Sequence, residues 1–340
     1  MIALIVGLVL AALILVCMKF PVMGDFYALK VYPAVSSFLS RISAPFSFSL
    51  QGVVVFVLAL VGVVVLVRWR KAGPRRSLRR LATLLVWTFV WFYAGWCLNY
   101  SRSDIYHRVE VSQAQYDSTA FSEFMYAFRE TLNEAYVADT VDEATIEREI
   151  KGFYASVPAK YGLCKPRPWQ HVKPMLIEDY HAATGVSGYM GPLFAEFHVN
   201  RHMPSCQYPF TWAHECSHLL GVSSEDEANW WAWNACMSSS VPAIRYSACI
   251  SMLSYIIRDA RRCLSEADYE AWASAIRPEV TADMQLKHDY WSSKRNPTLN
   301  AVQGWAYDLF LKSNNVSSGI QSYSQVLTLL LSLDYHNIGG

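Results

Sequence analysis

The residues best suited to chemistry lie in one short segment, residues 211–221, which reads TWAHECSHLLG. His214 and His218 are four residues apart, so in a helix both imidazoles lie on one face and can bind one metal ion. Glu215 follows the first histidine, where its carboxylate can take a proton from a water that zinc has made more acidic. The pattern predicts a helix with a hydrolytic site, one Zn²⁺ per chain and Glu215 as general base.

Chance is the alternative explanation of this segment. An HExxH string arises in roughly one chain in a hundred of this length, and a helical His-Glu face can serve packing alone. The surrounding residues favour a helix, because Pro209 suits its start and Gly221 suits its end. The residues downstream then decide between the two interpretations.

A zinc site of this type needs a third protein ligand, which leaves the fourth position for water. The next segment, residues 224–229, reads SEDEAN and opens a second helix that places Glu225 and Asn229 on one face. We predict Glu225 as the third ligand, with Glu227 as the alternative, and Asn229 as the residue that orients a ligating histidine. The structural alternative is a capping box formed by Ser224 and Glu227. A third histidine of the metzincin type would fall on Ser224, which disfavours that class.

Weaker candidates lie on both sides of these segments. His198 and His202 are four apart, but they lie in or after a strand-like run, where this spacing gives no shared face; a core or surface role is favoured. Glu196 and its strand are a candidate edge along which a peptide could lie. Tyr246, in the helix after the ligands, is a candidate donor to a developing oxyanion, with simple packing as the alternative.

The first hundred residues have the pattern of a membrane domain. Three apolar stretches, at about 2–18, 52–67 and 81–98, are predicted to be long enough to span a bilayer, which needs ~20 mostly apolar residues. Nothing basic precedes the first stretch, which favours a retained anchor over a cleaved signal peptide. Seven basic residues and no acidic one lie at positions 68–80. Because apolar runs flank this cluster, it indicates a cytoplasmic loop and not a nucleic-acid patch, and it places residues 19–51 outside the cell.

The rest of the chain, residues 101–340, is predicted to be a mainly α, α+β extracytoplasmic domain resembling a zincin. Residues 185–200, GVSGYMGPLFAEFHVN, predict a turn and a strand, which is the small β element. Helical periodicity is found in eight segments: 115–137, 142–156, 209–220, 224–240, 243–262, 266–276, 300–313 and 322–334.

Composition supports this division. The chain is 53% hydrophobic with a net charge of +1, which is too apolar for an ordinary soluble protein of 340 residues. Six of its eight cysteines lie beyond residue 101, and no CxxC pair is among them, which argues against a cysteine-type zinc site. One or two disulfides are compatible with an oxidising compartment. Buried free thiols are the favoured interpretation for Cys216 and Cys236.

Five short motifs stand out together along the chain: Pro45-Phe46-Ser47, the WCLNYSR string at 96–102, Gly191-Pro192, HECSH and EDEAN. With the three apolar stretches, this set resembles the bacterial membrane family called domain of unknown function 3810. The resemblance runs nearly the full length, to Tyr323 and its neighbours, and implies three spans before a zinc domain.

The metal-binding segment is also similar to gluzincin peptidases, in which a glutamate on the next helix completes the site. This similarity implies His214, His218 and Glu225 as ligands and Glu215 as base. Asn229 stands where many gluzincins have aspartate, and the gap between His218 and Glu225 is shorter than is usual there.

These observations lead to a three-pass zinc metallopeptidase of the bacterial cytoplasmic membrane, acting on a peptide or protein substrate. Two alternatives stay open. In the first, zinc staples two helices in a non-catalytic sensing or assembly module, with Glu227, His198 or His202 as fourth ligand. In the second, the same catalytic residues hydrolyse amide bonds in cell-wall peptide. The oligomeric state cannot be predicted from these patterns.

Overall fold

The computed structural model describes residues 1–114, 118–314 and 326–333. The N-terminal third is helical. Its helices are α1 (Ile2–Cys17), α2 (Pro21–Phe26), a π-helical turn (Tyr27–Val31), α3 (Tyr32–Ser43), α4 (Leu50–Val67), α5 (Trp69–Ala72), α6 (Pro74–Gly95), a 3-10 turn (Cys97–Ser101) and α7 (Ile105–Val109).

The remaining elements surround a small antiparallel hairpin, in which Gly188 pairs with Val199 and Gly191 pairs with Glu196. They are α8 (Ser118–Ala135), α9 (Glu143–Ser156), a 3-10 turn (Ala159–Tyr161), α10 (Glu178–Ala183), β1 (Gly188–Gly191), β2 (Glu196–Val199), α11 (Tyr208–Leu219), α12 (Glu225–Met237), α13 (Pro242–Cys263), α14 (Glu266–Ser274), α15 (Pro278–Lys294), α16 (Pro297–Ser313) and α17 (Val326–Ser332). The prediction of a mainly helical chain with a small β element is confirmed.

The individual predictions differ in places. The single strand expected within residues 185–200 is a hairpin of two strands, and α15 was not predicted. The predicted helices 115–137 and 322–334 have their first residues outside the described part of the chain. Tyr323 also lies outside it.

The prediction of three membrane spans is not met. Among the described helices, α4 alone is long and apolar enough to cross a bilayer, with a mean hydropathy of 3.0 and none of the span buried. Helix α1 and residues 21–43 would make a second span only as a pair, and the two are bent by 110°. Helix α6 begins at Pro74 and carries four arginines in its first two turns, which leaves about 15 apolar residues where ~20 are needed.

Residues 19–51, expected as an external loop, are largely helical and pack against the C-terminal domain. The ring of Tyr32 at the start of α3 is completely buried. Its hydroxyl donates a hydrogen bond of 2.7 Å to the carbonyl of Leu219, the last residue of α11. Residues 19–51 are therefore ordered by contacts with the C-terminal domain, although they contain no long apolar run.

The C-terminal end of α11 shows how closely the two parts of the chain are joined. The last carbonyls of a helix have no partner within it, so each needs a donor from elsewhere. From outside this turn, the donors to the carbonyls of residues 218, 219, 220 and 221 are, in that order, Trp96 Nε1 (2.7 Å), Tyr32 Oη (2.7 Å), Cys164 N (2.9 Å) and Arg102 Nη1 (3.2 Å); the carbonyl of residue 218 also accepts from the amide of Gly221 at 3.0 Å. Three of the four lie before residue 103.

The hairpin in turn holds the start of α4. Glu196 is buried in β2, pairs with Lys173 at 2.6 Å, and accepts hydrogen bonds from the backbone amides of Leu50 and Gln51. These amides belong to the first turn of α4, where N–H groups lack helical partners and favour a negative charge. The carboxylate of Glu196 thus joins the apolar helix to the hairpin.

The core of the domain is aromatic and lies between α11, α12 and α13. Trp212, Trp230 and Trp231 are completely buried. Cys216 and Cys236 are buried free thiols, which confirms the favoured interpretation. The other cysteines that the structure describes as free are Cys17, Cys97, Cys164, Cys206 and Cys249.

The bond from Tyr32 to α11 can be tested by Tyr32→Phe. The buried carbonyl of Leu219 then loses its donor, which should lower the free energy of unfolding by about 1–3 kcal/mol. Thermal unfolding of the detergent-solubilised protein measures the loss as a reduced Tm. Tyr126→Phe, at an exposed position of α8, is the matched control and should leave Tm unchanged; equal stability of the two variants would contradict the role of Tyr32.

Candidate metal centre

Two consecutive helices, α11 and α12, carry the candidate ligands. Pro209 occupies the first turn of α11, where its fixed φ suits a helix start. Gly221 follows the end of α11 with φ +100°, a conformation that side chains with a Cβ rarely adopt. This turn lets α12 begin at Glu225, so the first turn of α12 lies against the last turns of α11.

The predicted ligands converge in the structure. The Nε2 atoms of His214 and His218 lie 3.1 Å apart. The Oε2 atom of Glu225 lies 3.1 Å from Nε2 of His214 and 3.6 Å from Nε2 of His218. Among the described residues, these three form a group whose ligand atoms all lie within 4.8 Å of one another.

The other nitrogen of each ring is held by a hydrogen bond. Nδ1 of His218 lies 2.7 Å from the carbonyl of Val222, and Nδ1 of His214 lies 2.9 Å from Oδ1 of Asn229. A carbonyl oxygen can only accept, so Nδ1 carries a hydrogen in each ring, and Nε2 is the nitrogen that faces the cluster. Asn229 thus occupies the position predicted for it, and the Nε2 atoms of both rings point at one place, as they would in holding one cation.

A tyrosine that sequence reasoning missed completes the surroundings of Glu225. Tyr307 of α16 donates a hydrogen bond to Oε1, the carboxylate oxygen that faces away from the histidines. Tyr255 of α13 accepts a hydrogen bond of 3.3 Å from the side-chain amide of Asn229. Tyr307 lies 82 residues after Glu225, and no local spacing connects the two.

The negative charge of Glu225 and the imidazoles of His214 and His218 stabilise one another because they lie close together. Burial alone would raise the pKa of Glu225, but the imidazoles of His218 and His214 hold it well below its usual range. Burial likewise opposes a charge on His218, yet Glu225 outweighs it and raises the pKa of His218 to about 9. The carboxylate is therefore ionised at neutral pH, as a metal ligand must be.

Glu215 lies in the cleft wall beside β1. A Cβ on Gly188 would come within 2.5 Å of the Glu215 carboxylate, so the glycine leaves room for it. Burial raises the pKa of Glu215 to about 7, against the opposing effect of His214 and His218. A carboxylate with a pKa near the working pH is suited to taking up and releasing a proton.

The cluster opens into a cleft of about 770 Å³. Its walls come from β1, α13, α15 and α16, and from aromatic residues at the end of α6 and just beyond it, Phe92, Trp96 and Tyr100. Lys287 and Arg295 add positive charge to the lining. The cleft can therefore admit an extended molecule to the side chains of Glu215 and the three candidate ligands.

Glu227, the alternative third ligand, points elsewhere. Its carboxylate forms a buried ion pair with Arg108 and accepts a hydrogen bond of 3.1 Å from Trp231. The capping box does not form either, because Ser224 makes no side-chain cap and donates instead to Asp226. Of the two glutamates, only Glu225 reaches the histidines.

The weaker candidates lie away from the His-His-Glu cluster. The hydroxyl of Tyr246 donates to Asp283 at 2.7 Å and does not line the cleft, so its predicted oxyanion role is wrong and packing is the better description. Glu196 is buried within β2 and offers no peptide edge; β1 is the strand beside Glu215. His198 is a core residue, and the exposed ring of His202 pairs with Glu178 at 2.8 Å.

The fold and site together define a mostly helical chain that bears a buried His-His-Glu cluster and has one or two helices able to cross a membrane. Residues 27–331 match the family described as Protein of unknown function (DUF3810), and the chain belongs to that family. The expected family membership is thereby confirmed. No curated protein and no solved structure matches the chain.

His198 provides a test of the core beside the site. Burial lowers the pKa of His198 to about 3, and its Nε2 lies 2.9 Å from the hydroxyl of Ser49. The unfolded chain binds a proton below about pH 6.5, whereas the folded chain does so only near pH 3. Stability should therefore fall as the pH decreases from 6.5, by up to about 1.4 kcal/mol per pH unit.

The variant His198→Gln, which cannot be protonated, should remove this part of the pH dependence. The measurement is Tm in detergent between pH 5 and pH 7. His202→Gln, at the exposed ring, is the matched control and should keep the natural slope. A His198→Gln slope equal to that of the natural protein would show that the imidazole is not held neutral by burial.

Proposed function

We propose that the protein is a membrane-anchored zinc metallopeptidase that hydrolyses peptide bonds in the cleft beside β1. The proposal depends on one observation. Two imidazole nitrogens and one carboxylate oxygen converge on a single point next to the buried carboxylate of Glu215, at the wall of an open cleft.

The donor set suits zinc. Two histidine nitrogens and one glutamate oxygen form a three-ligand set that leaves a fourth position for water or substrate, as in hydrolytic zinc sites. His214, His218 and Glu225 would hold one ion per chain. Zinc bound there would supply Lewis acidity, which polarises a carbonyl and lowers the pKa of water towards neutrality.

The protein's own groups would carry the proton. Glu215 accepts a proton from the water whose oxygen attacks the carbonyl carbon, and delivers it to the nitrogen as the C–N bond breaks. Its raised pKa, about 7, favours both transfers. Asn229 and the carbonyl of Val222 keep the imidazoles oriented, and Tyr307 holds the second oxygen of Glu225. The glycine at 188 keeps β1 close enough to place a substrate beside Glu215.

The described residues favour hydrolysis over a zinc staple. A staple needs four protein ligands, and the residues expected as the fourth are all engaged elsewhere. His198 lies against Ser49, His202 pairs with Glu178, and Glu227 pairs with Arg108. Hydrolysis of an amide bond in cell-wall peptide would require the same catalytic residues. The activity screen described below therefore tests both kinds of substrate.

We further propose a bacterial cytoplasmic membrane location with the domain outside the cell. The basic residues at 68–80 extend from the end of α4 into the first two turns of α6 and favour the cytoplasmic side. The opposite ends of both helices lie at the hairpin: Glu196 binds the start of α4, and Trp91 near the end of α6 donates to the carbonyl of Leu193. Helix α6 also packs against α1, with Trp87 donating to Ala3 at 3.0 Å, which supports a multi-pass bundle.

Metal analysis combined with Glu215→Gln tests the mechanism. The purified protein should contain about one zinc per chain. Glu215→Gln should keep the metal and lower kcat by a factor of roughly 100 to 10,000, because the proton acceptor is gone. Cleavage of a quenched fluorescent peptide library, with a cell-wall peptide tested in parallel, measures the activity.

Glu130→Gln, an exposed substitution in α8, should leave metal content and cleavage intact. Joint loss of metal and activity in Glu215→Gln would contradict its role as the base. A natural protein that binds no zinc would remove the proposal altogether.

The two glutamates of α12 form a matched pair for a second test. Glu225→Gln should weaken zinc binding by at least roughly 100-fold, since changes to groups that merely support a ligand already cost 10–100-fold. Glu227→Gln should keep zinc but lower the free energy of unfolding by about 3 kcal/mol, because it leaves Arg108 buried without its partner. Chelator competition and thermal unfolding measure the two effects. The reverse pattern would identify Glu227 as the ligand.

A further inference from the structure

Helix α16 exposes its apolar face and turns its polar face inward, the reverse of the usual amphipathic helix of a soluble domain. Its polar face is turned towards the cleft and contains Asn300, Gln303 and Tyr307. Its outward face is apolar. The large exposed side chains of that face, spaced three or four residues apart on one stripe, are Leu299, Val302, Trp305 and Leu309. In water the apolar stripe of a surface helix normally faces the core.

The outward stripe is continuous. Trp305 is 70% exposed, which is unusual for so large an apolar ring. The charged residues of α16 are Asp308 and Lys312, which pair with each other at 2.7 Å. Contiguous apolar stripes of this kind mark contact with a protein partner or with lipid, whereas single exposed apolar residues carry no such meaning.

The position of α16 selects lipid as the contact. Its Phe310 ring lies 5.8 Å from that of Phe92 in α6 and 5.5 Å from that of Tyr100. The stripe is thus a neighbour of the end of α6, at the same hairpin where α4 begins. A second exposed apolar pair lies there too, because Leu176, followed by Ile177, would contact a Cβ at Gly52 in the first turn of α4.

We infer that α16 lies in the interface of the outer leaflet, with Leu299, Val302, Trp305 and Leu309 among the lipid chains. This inference rests on the proposed membrane anchorage and is independent of zinc hydrolysis. Tryptophan and leucine on one face are typical of helices that lie in the plane of the interface, where tryptophan is enriched. Because the inner face of α16 forms a wall of the cleft, the cleft then opens at the bilayer surface.

Photocrosslinking of the full chain tests this placement. Trp305 is replaced by the photoreactive residue p-benzoylphenylalanine, and the protein is illuminated in nanodiscs of phosphatidylethanolamine and phosphatidylglycerol. The same residue at Phe56, 66% exposed in the middle of α4, serves as the lipid-facing reference. At Tyr126, 40% exposed beside Arg129, it serves as the water-facing reference. Mass spectrometry then measures the fraction of protein that carries a lipid adduct.

The Trp305 variant should form lipid adducts at a level near that of the Phe56 variant, roughly tenfold or more above the Tyr126 variant, because acyl chains are absent from a water-exposed surface. A parallel variant at Val302 should give the same result and guards against a local disturbance at Trp305. Each variant is compared by its thermal transition before illumination.

Three results would overturn the inference. Adducts at the Tyr126 level would place the stripe in water. A crosslink between two protein chains would show that a second copy covers it, and a crosslink within one chain would show that another segment of the protein does. Absence of adducts from the Phe56 variant would remove the anchorage itself, whereas zinc content and peptide cleavage report on the proposed function separately.

Discussion

The two Nδ1 hydrogen bonds of His214 and His218 determine where the opposite nitrogens of the rings point. An imidazole has only two nitrogens, so a ring that is held at one of them presents the other in a fixed direction. The acceptor for His218 lies in the turn after α11, and the acceptor for His214 lies in α12. The cluster therefore exists only if the chain reverses direction directly after α11, which Gly221 permits.

The end of α11 is held equally firmly from the outside. His218 is in the last turn of that helix, and its own carbonyl accepts a hydrogen bond from Trp96. The side chain of Tyr32 does the same for the next carbonyl, and that of Arg102 for Gly221. The turn that carries His218 is thus positioned by side chains from the first 102 residues of the chain, whereas in a self-contained domain such donors come from the domain itself.

Local spacing predicted the local part of the site. The four-residue interval between the histidines and the interval from Glu225 to Asn229 each correspond to one helical turn, and the structure brings all four side chains together. The difference between Glu225 and Glu227 does not come from local sequence. Glu227 pairs with Arg108, which lies 119 residues earlier in the chain, and its carboxylate therefore points away from the histidines.

The same holds for the fold: elements set by local sequence were predicted, and elements that depend on distant contacts were not. Most of the predicted helices are found, because their apolar residues repeat with the helical period. Hydropathy overestimated the third span, predicted at 81–98, because α6 ends at Gly95 and the residues around that end line the cleft. It missed helices α2 and α3, because no apolar run predicts the bond from Tyr32 of α3 to α11 or the packing of Gly24 of α2 against Ser101. Tyr307 could not be found for the same reason.

The bonds from Tyr32, Trp96 and Arg102 also bear on what happens if the chain is cut. A fragment that begins after residue 103 would leave the carbonyls of Leu219 and Gly221 without their donors, and that of His218 with the amide of Gly221 alone. Such a fragment would lose the side chains that support the end of α11 beneath His218. The first hundred residues are therefore a structural component of the His-His-Glu cluster and not a detachable extension of it.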